Sequence, residues 1–351
     1  MVDITSDSAV SGDILKQLRV EKGGRRVLGS LDERSKALTI LQDSDCSTKI
    51  TAGGSVANTL VGISRLSKAS RRKKIHVALS SSCSTDAIGQ YFSASLNNAG
   101  VAVLPSEDVG HTGTVFVLAS PDGQRSFLSY FQSEHMKVST SLRVAVSQCR
   151  LVVVEGYMWE MPGAAEAITE VVAIAKAHGV QVAMTAGDPG VVARNRDKIL
   201  QVLNLGGRDI LFFSNQEEAC ELLGKGRVCG ANTAILGLGS LCGVAVVTDG
   251  SRGSFVSCMG QVHTIPAAEV PTGVVDTCGA GDAYAAGFCY AIMTGHDCAS
   301  AGAFASSTAA QVIARHGAQL LESEAQELVE LLPETLPLAV SATWLSKSAA
   351  A

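Results

Sequence analysis

The sequence lacks the features that mark several classes of protein. Its 351 residues contain no run of about 18 apolar residues and no apolar core of a secretory signal, so neither a membrane helix nor export is predicted. Ten cysteines are present, but none forms a Cys-x-x-Cys pair, and no histidine stands at zinc-ligand spacing. We therefore expect reduced, mostly buried thiols in a soluble, cytoplasmic protein.

The sequence also lacks an excess of positive charge, with 28 Lys and Arg against 33 Asp and Glu. The net charge of −5 gives no general attraction to nucleic acid or to an anionic membrane, which leaves a small molecule as the expected partner. One basic run at 71–74 suits a localisation signal or a patch that binds the phosphate backbone of nucleic acid. It precedes an apolar stretch, however, and rather indicates a solvated loop entering a strand. The hydrophobic fraction of 46% and the 35 glycines are typical of a well-packed globular enzyme.

From about residue 141 onward, short β-branched apolar runs alternate with longer alanine-rich stretches. This alternation predicts an α/β fold whose mainly parallel sheet is covered by helices on both faces. The predicted strands lie at 151–154, 180–184, 209–213 and 243–248, and the predicted helices at 164–178, 283–293 and 299–315.

A predicted β-hairpin interrupts this alternation. Residues 112–120 and 124–131 are strand-like and flank Pro121, Asp122 and Gly123, residue types that favour a tight turn. With strands from 3–10 and 25–28, the hairpin would form a small sheet suited to act as a lid. The predicted domains are a discontinuous lid at 1–30 and 111–131, an α/β domain at 32–110 and 132–335, and a tail at 336–351.

The sharpest motif is Asp-Thr-Cys-Gly-Ala-Gly-Asp at 276–282, directly before an apolar, alanine-rich helix. Small residues leave backbone N–H groups uncovered, and a helix start adds unpaired donors and a positive dipole end, so this turn can hold a phosphate. Asp282 can then accept the proton of a hydroxyl that attacks the phosphate. On spacing alone, an ordinary glycine turn with Asp282 as a helix cap fits equally well.

Three weaker motifs accompany it. The glycines and Asn58 in Gly-Gly-Ser-Val-Ala-Asn at 53–58 allow close approach and hydrogen bonding of a ligand, or mark a helix entry. The segment 248–253 follows a predicted strand, where ligands of open α/β sheets bind, or forms a plain hairpin turn. Asn215 and Glu218 follow another strand, and Asn215 also suits a helix N-cap.

A glycine run at 237–243 partly resembles a dinucleotide-binding motif. It precedes a strand instead of following one, and its last gap is one residue too long. The sequence therefore gives little support to a dehydrogenase.

The four motifs, in this order and spacing, resemble the PfkB or ribokinase-like family of carbohydrate and nucleoside kinases, from Asp3 to about residue 320. The resemblance implies a three-layer α/β/α domain with a mainly parallel central sheet and a small β-sheet lid. It also implies a kinase that uses ATP and Mg²⁺ to phosphorylate a hydroxyl of a nucleoside or sugar. The segments 2–4 and 211–215 and the end of the hairpin look more like adenosine kinase than like ribokinase or fructokinase.

The resemblance also implies a role for each matching residue. Asp282 is the implied base, and the backbone of Gly279, Ala280 and Gly281 the implied anion hole. Asn215 and Glu218 are implied to organise Mg²⁺ and the ATP phosphates, Glu218 through water. The remaining implied residues are Thr248, Gly250 and Gly253 for ATP, Asp3, Gly53, Gly54 and Asn58 for substrate hydroxyls, and Arg125, which reaches the phosphates when the lid closes.

Two features depart from the family pattern. Family members begin with an apolar strand, whereas Met1 and Val2 lead straight into Asp3, so we expect a core strand to be missing through truncation, an incomplete gene model or divergence. A family glycine before Asp86 is also replaced within 80–84. A ligand-binding or regulatory protein that kept the fold without turnover is therefore the alternative function. Organellar targeting stays open, as do a monomer and a homodimer paired through the lid edge.

Overall fold

The computed structural model describes residues 2–6, 10–44, 48–71, 74–81, 84–105, 111–120, 122, 124–131, 135–226 and 229–332. The strands are β1 (Val2–Ser6), β2 (Arg25–Leu28), β3 (Thr48–Ala52), β4 (Val77–Leu79), β5 (Val101–Val103), β6 (Thr114–Ala119), β7 (Arg125–Tyr130), β8 (Leu151–Val154), β9 (Gln181–Thr185), β10 (Ile210–Asn215), β11 (Val244–Thr248), β12 (Ser254–Cys258) and β13 (Gln261–Ile265). The helices are α1 (Gly12–Gln17), α2 (Leu31–Asp43), α3 (Ser55–Ala69), α4 (Ala87–Ala99), α5 (Thr140–Gln148), α6 (Ala164–Ala177), α7 (Pro189–Gly206), α8 (Gln216–Leu222), α9 (Ala231–Gly239), α10 (Ala280–Met293), α11 (Cys298–Ile313) and α12 (Glu322–Val329).

The chain divides into two compact units. The first comprises Met1–Ala57 and Ala78–Glu134, and the second comprises Asn58–Val77 and His135–Ala351. The sequence instead predicts that residues 32–110 belong to the large domain. This predicted domain division stays a prediction. Within the described ranges, no helix has both the length and the apolar character that crossing a membrane requires.

The first unit contains a five-stranded sheet in the order β2-β7-β6-β1-β3. β6 and β7 pair in antiparallel fashion from Thr114 opposite Tyr130 to Ala119 opposite Arg125, which confirms the predicted hairpin. Its proposed turn residues Pro121 and Gly123 lie outside the described residues. One sheet face is apolar and packs against α1 and α2, because alternate residues such as Ile4, Phe116 and Leu128 are buried there.

The second unit contains a six-stranded sheet in the order β13-β12-β11-β10-β9-β8. β8 to β11 are parallel, as predicted. β12 and β13 add an antiparallel edge, for which the sequence indicated only the alternative of a hairpin turn at 248–253. On one face, Val182 and Phe212 pack with residues of α6 to α9. On the other face, the ring of Phe213 lies 5.5 Å from that of Phe288 in α10. Helices therefore cover both faces, which confirms the predicted layers.

The large sheet ends at β8, and its edge is partly exposed. Leu151, Val152 and Val153 are half-buried, whereas β10 is buried from Ile210 to Ser214. Parallel strands are usually covered on both sides, so an apolar edge of this kind is uncommon. β4 and β5 form a separate two-stranded sheet, and within the described ranges no further strand pairs with β8. The expectation of a missing core strand stays a prediction.

Asp86 follows the segment in which the family glycine is replaced. Of that segment, Ser82 and Cys83 lie outside the described residues. The Asp86 carboxylate caps α4 by accepting a hydrogen bond from the Gly89 N–H at 2.7 Å and also accepts one from the Thr112 hydroxyl at 2.7 Å. Burial raises the pKa of Asp86, but these hydrogen bonds prevail and lower it below its usual value.

Candidate active site

The glycine turn leads directly into α10. Gly279 is the N-cap residue with a φ of +80°, a left-handed conformation that glycine adopts most readily. A Cβ at Gly279 would also lie 2.6 Å from the backbone oxygen of Ala318, so the turn has no room for a side chain. The buried carboxylate of Asp276 accepts hydrogen bonds from the N–H groups of Cys278 at 2.9 Å and Gly317 at 3.2 Å. These contacts fix the turn before the helix begins.

Beyond Gly279, the backbone at the helix start is uncovered. Gly281 is exposed, and a Cβ placed there would meet no atom within 4 Å. The Ala280 N–H donates to the Thr277 carbonyl at 3.2 Å. Gly281 is therefore the accessible part of this helix N-terminus, whereas the Ala280 N–H is already engaged within the turn. The anion-hole role of Gly279, Ala280 and Gly281 stays a prediction.

Asp282 is the third residue of α10, and Gly279 takes the N-cap position instead. The side chain of Asp282 is half-buried, and its Oδ2 accepts a hydrogen bond from Nδ2 of Asn58 at 3.0 Å. The hydroxyl of Thr59 donates to the backbone carbonyl of Asp282 at 3.3 Å. The interpretation of Asp282 as the helix cap is therefore wrong, and the carboxylate instead contacts a second candidate site residue.

Asn215 and Glu218 form a closed pair at the end of β10. The Asn215 side chain accepts a hydrogen bond from the Glu218 N–H at 2.9 Å, and the Glu218 carboxylate accepts from the Asn215 backbone N–H at 2.8 Å and from its Nδ2 at 2.8 Å. This is a capping box, so Asn215 is indeed the N-cap of α8. The cap also turns the Glu218 carboxylate back towards the strand end.

Burial makes the Glu218 carboxyl harder to ionise. Desolvation raises the pKa of this carboxyl to about 7, although the backbone hydrogen bond from Asn215 lowers it and the charges of Asp188 and Glu217 raise it further. Asp188 is the N-cap of α7 and follows β9. It was not singled out in the sequence, although an Asp-Pro pair after a predicted strand was the available signal.

The segment 248–253 connects β11 to the antiparallel β12, so it is a hairpin connection as well as a strand-end loop. Thr248 is the register partner of Asn215, which places both residues at the carboxyl edge of the parallel sheet. A Cβ at Gly250 would meet open space, whereas a Cβ at Gly253 would lie 2.1 Å from the Ile265 carbonyl oxygen. The ATP roles of Thr248, Gly250 and Gly253 stay predictions.

Four predicted site residues belong to the first unit. Asp3 packs against Gly53 so closely that a Cβ there would lie 1.8 Å from the Asp3 Oδ2. Gly54 precedes α3, and Arg125 is the first residue of β7. The implied roles of these four residues in substrate and phosphate binding stay predictions.

No group of three or more His, Cys, Asp or Glu side chains suited to a metal ion occurs within the described ranges. A site with few protein ligands is nevertheless what Mg²⁺ usually takes, because this ion keeps several waters and binds substrate phosphates. The buried carboxylate of Glu218 carries hard oxygen donors of the type that Mg²⁺ prefers, and its predicted metal role stays a prediction.

Residues 41–325 match the family described as pfkB family carbohydrate kinase. The chain belongs to this family. The protein is thus a PfkB-type kinase with a ribokinase-like α/β fold, as its four motifs indicated.

Curated relatives of this PfkB kinase are sugar kinases. The 5-dehydro-2-deoxygluconokinase of Shouchella clausii is 24% identical over 290 residues, covering 80% of this chain and 86% of the relative. The 5-dehydro-2-deoxygluconokinase of Clostridium botulinum is 25% identical over 293 residues, covering 80% of this chain and 84% of the relative.

Similar solved structures include both nucleoside and sugar kinases. The adenosine kinase of Sinorhizobium meliloti has a TM-score of 0.79 at 27% identity, covering 95% of this chain and 97% of that one. A probable sugar kinase of Rhizobium etli has a TM-score of 0.78 at 24% identity, covering 94% and 95%. The comparisons support a small-molecule kinase and leave the acceptor to be proposed.

Proposed function

We propose that this PfkB kinase transfers the γ-phosphate of ATP, with Mg²⁺, to a hydroxyl of a nucleoside or a sugar. The observation that carries this proposal is the 3.0 Å hydrogen bond between Asn58 and Asp282 at the start of α10. It holds a carboxylate beside the exposed backbone of Gly281, at the end of a helix where anions bind. A base in this position can serve a hydroxyl that attacks a phosphate.

In the proposed reaction, Asp282 accepts the proton of the acceptor hydroxyl at its carboxylate. Asn58 is 7% exposed, and its Oδ1 has no hydrogen-bond partner within the described residues. A buried acceptor without a donor is costly, but this oxygen is itself enclosed by protein. The substrate role of Asn58 rests on the family resemblance. The corresponding roles of Asp3, Gly53, Gly54 and Arg125 rest on the family resemblance.

The carboxyl edge of the large sheet is the proposed place for the nucleotide and the metal. Glu218 and Asn215 would hold Mg²⁺, with Glu218 acting through water, and Thr248, Gly250 and Gly253 would contact ATP. Mg²⁺ supplies neutralisation of phosphate charge when bound. A cation near Glu218 also offsets the cost of ionising a buried carboxyl whose pKa is raised to about 7.

We propose an adenosine-like nucleoside as the first acceptor to examine and a sugar as the second. The adenosine kinase of S. meliloti supports the former, with 27% identity across nearly the whole chain. The 5-dehydro-2-deoxygluconokinases support the latter, at 24–25% identity.

The test is turnover of purified protein with ATP and Mg²⁺ on a panel that contains adenosine, other nucleosides, ribose, fructose and 5-dehydro-2-deoxygluconate. ADP release and the mass of the product are measured. We expect a phosphorylated product from at least one acceptor, and a loss of about 10²–10⁴-fold in kcat for Asp282→Asn. Turnover that Asp282→Asn leaves unchanged would refute the base assignment.

A binding or regulatory protein without turnover is the second candidate. The half-buried edge strand β8 favours it, because an exposed sheet edge weakens the support of a site at the strand ends. Binding of ATP without phosphorylation of any acceptor on the panel would favour this candidate.

A further inference from the structure

Helices α3 and α10 meet along a short seam in the second unit. Asn58 contacts Asp282, and one helical turn later Gly62 meets Ala286, where a Cβ on the glycine would lie 2.7 Å from the Ala286 Cβ. Residues four apart share one face of a helix. The two contact pairs therefore place the helices side by side and running in the same direction, with Gly62 allowing a close approach.

The seam holds Asp282 at two points. Its carboxylate accepts from Nδ2 of Asn58 at 3.0 Å, and its backbone carbonyl accepts from the hydroxyl of Thr59 at 3.3 Å. Thr59 is 1% exposed and Asn58 is 7% exposed, so water competes little for either donor. The carboxylate and the first turn of α10 are thus both tied to the start of α3.

An amide N–H can only donate, and an ionised carboxylate can only accept. The contact therefore favours the ionised form of Asp282, the form that a base requires, and restricts rotation of its carboxylate. These effects differ from the substrate-hydroxyl role that the family resemblance implies for Asn58. That role would use the other end of the side chain, the carbonyl oxygen Oδ1.

We propose that Asn58 is a positioning residue that orients the Asp282 carboxylate and keeps it ionised, in addition to contacting substrate. The part of this inference that concerns catalysis rests on the proposed kinase function. The effect on Asp282 itself belongs to the folded protein and can be measured without turnover.

Asn58→Ala is the decisive variant, because alanine is well tolerated in a helix and leaves no new polar group. Asn195→Ala is its matched control, since Nδ2 of Asn195 also donates to a carboxylate, that of Glu160, at 2.9 Å. For the most active acceptor, kcat and KM are measured against pH. In the plot of kcat against pH, we expect the midpoint of the acidic limb to lie about one pH unit higher in Asn58→Ala than in the wild type. We also expect kcat near pH 7 to fall about tenfold. Asn195→Ala should leave the limb in place.

Asn58→Asp sharpens the test. It places two carboxyl groups at about the same separation, and such a pair shares one proton. The acidic limb should then move further than in Asn58→Ala. A change of KM alone in Asn58→Ala, with the limb of kcat unmoved, would show that Asn58 serves only the substrate and would overturn the proposal.

A second measurement is independent of activity. Protein labelled with ¹³C at the aspartate carboxyls is titrated by NMR without substrate, and the Asp282 signal is assigned by its loss in Asp282→Asn. In Asn58→Ala this signal should titrate about one unit higher than in the wild type, with Asn195→Ala unchanged. An unshifted titration would overturn the proposal. If the wild type shows no turnover but the shift is found, the kinase proposal fails and the Asn58–Asp282 coupling stands.

Discussion

Replacing Glu218 by glutamine removes the charge of this buried side chain with little change of its shape. Glu218 is 8% exposed, and burial raises the pKa of its carboxyl from 4.5 to about 7. Asp188 and Glu217 add to the rise, while the backbone N–H of Asn215 opposes it. A buried carboxyl of this kind resists ionisation, and this resistance appears in the free energy of unfolding.

The direction in which the free energy of unfolding changes with pH follows from the number of protons bound in each state. Between about pH 4.5 and 7, the folded protein binds more protons at Glu218 than the unfolded chain, so folding is favoured by acid. The contribution of this group to stability therefore falls as pH rises through that window. A shift from 4.5 to about 7 corresponds to about 3 kcal/mol at most, at 1.36 kcal/mol for each unit.

The assay is urea unfolding of the wild type and Glu218→Gln at pH 5 and at pH 8. Glutamine also alters the hydrogen bond to the Asn215 Nδ2, but that cost does not depend on pH and cancels when the two pH values are compared. We expect the wild type to lose up to about 3 kcal/mol relative to the variant between pH 5 and pH 8.

The control is Glu166→Gln, which removes an exposed carboxylate from the first turn of α6. It makes the same change of charge at an exposed position, so its effect on stability should differ far less between pH 5 and pH 8 than that of Glu218→Gln. Added Mg²⁺ should reduce the effect of pH in the wild type and have little effect in Glu218→Gln, if Glu218 binds the ion. A stability difference for Glu218→Gln that does not change with pH would refute the reasoning.

Three glycine substitutions test the packing around the site. Gly279→Ala should lower the free energy of unfolding by about 2 kcal/mol or more, because it combines a φ of +80° with a clash against Ala318, and urea unfolding would detect it. Gly281→Ala meets open space and should leave stability unchanged or higher, yet lower kcat if a phosphate lies on its backbone; an unchanged kcat would contradict the anion-hole role. Gly53→Ala should cost about 1–3 kcal/mol by displacing the Asp3 carboxylate, and full stability would contradict this close contact.

The sequence predicted those parts of the fold that depend on local pattern. The valine-rich runs that became β8 and β11 lie where they were expected, because buried parallel strands carry continuous apolar residues. The hairpin of β6 and β7 was also recognisable, since two apolar runs flanked turn-forming residues. By contrast, β12 and β13 mix polar and apolar residues, so their antiparallel pairing carried little signal.

In the candidate site too, features that depend on local sequence were predicted, and contacts between distant residues were not. The glycine turn was found from its residues and spacing, and Asn215 and Glu218 were found from their place after a strand and from the family resemblance. However, α10 begins at Ala280, three residues earlier than predicted, because Gly279 already starts the helix. Asn58 and Asp282 are 224 residues apart, and no local pattern reports their hydrogen bond. Thr59 was missed for the same reason, since its role depends on the tertiary packing of α3 against α10.

The most direct test of the kinase assignment is the ratio of kcat between the wild type and Asp282→Asn on the most active acceptor, with ATP affinity measured in parallel. The geometry at the start of α10 predicts a loss of about 10²–10⁴-fold in kcat while ATP still binds, because asparagine cannot accept the hydroxyl proton. Equal kcat values for the two proteins would contradict the assignment of Asp282 as the base.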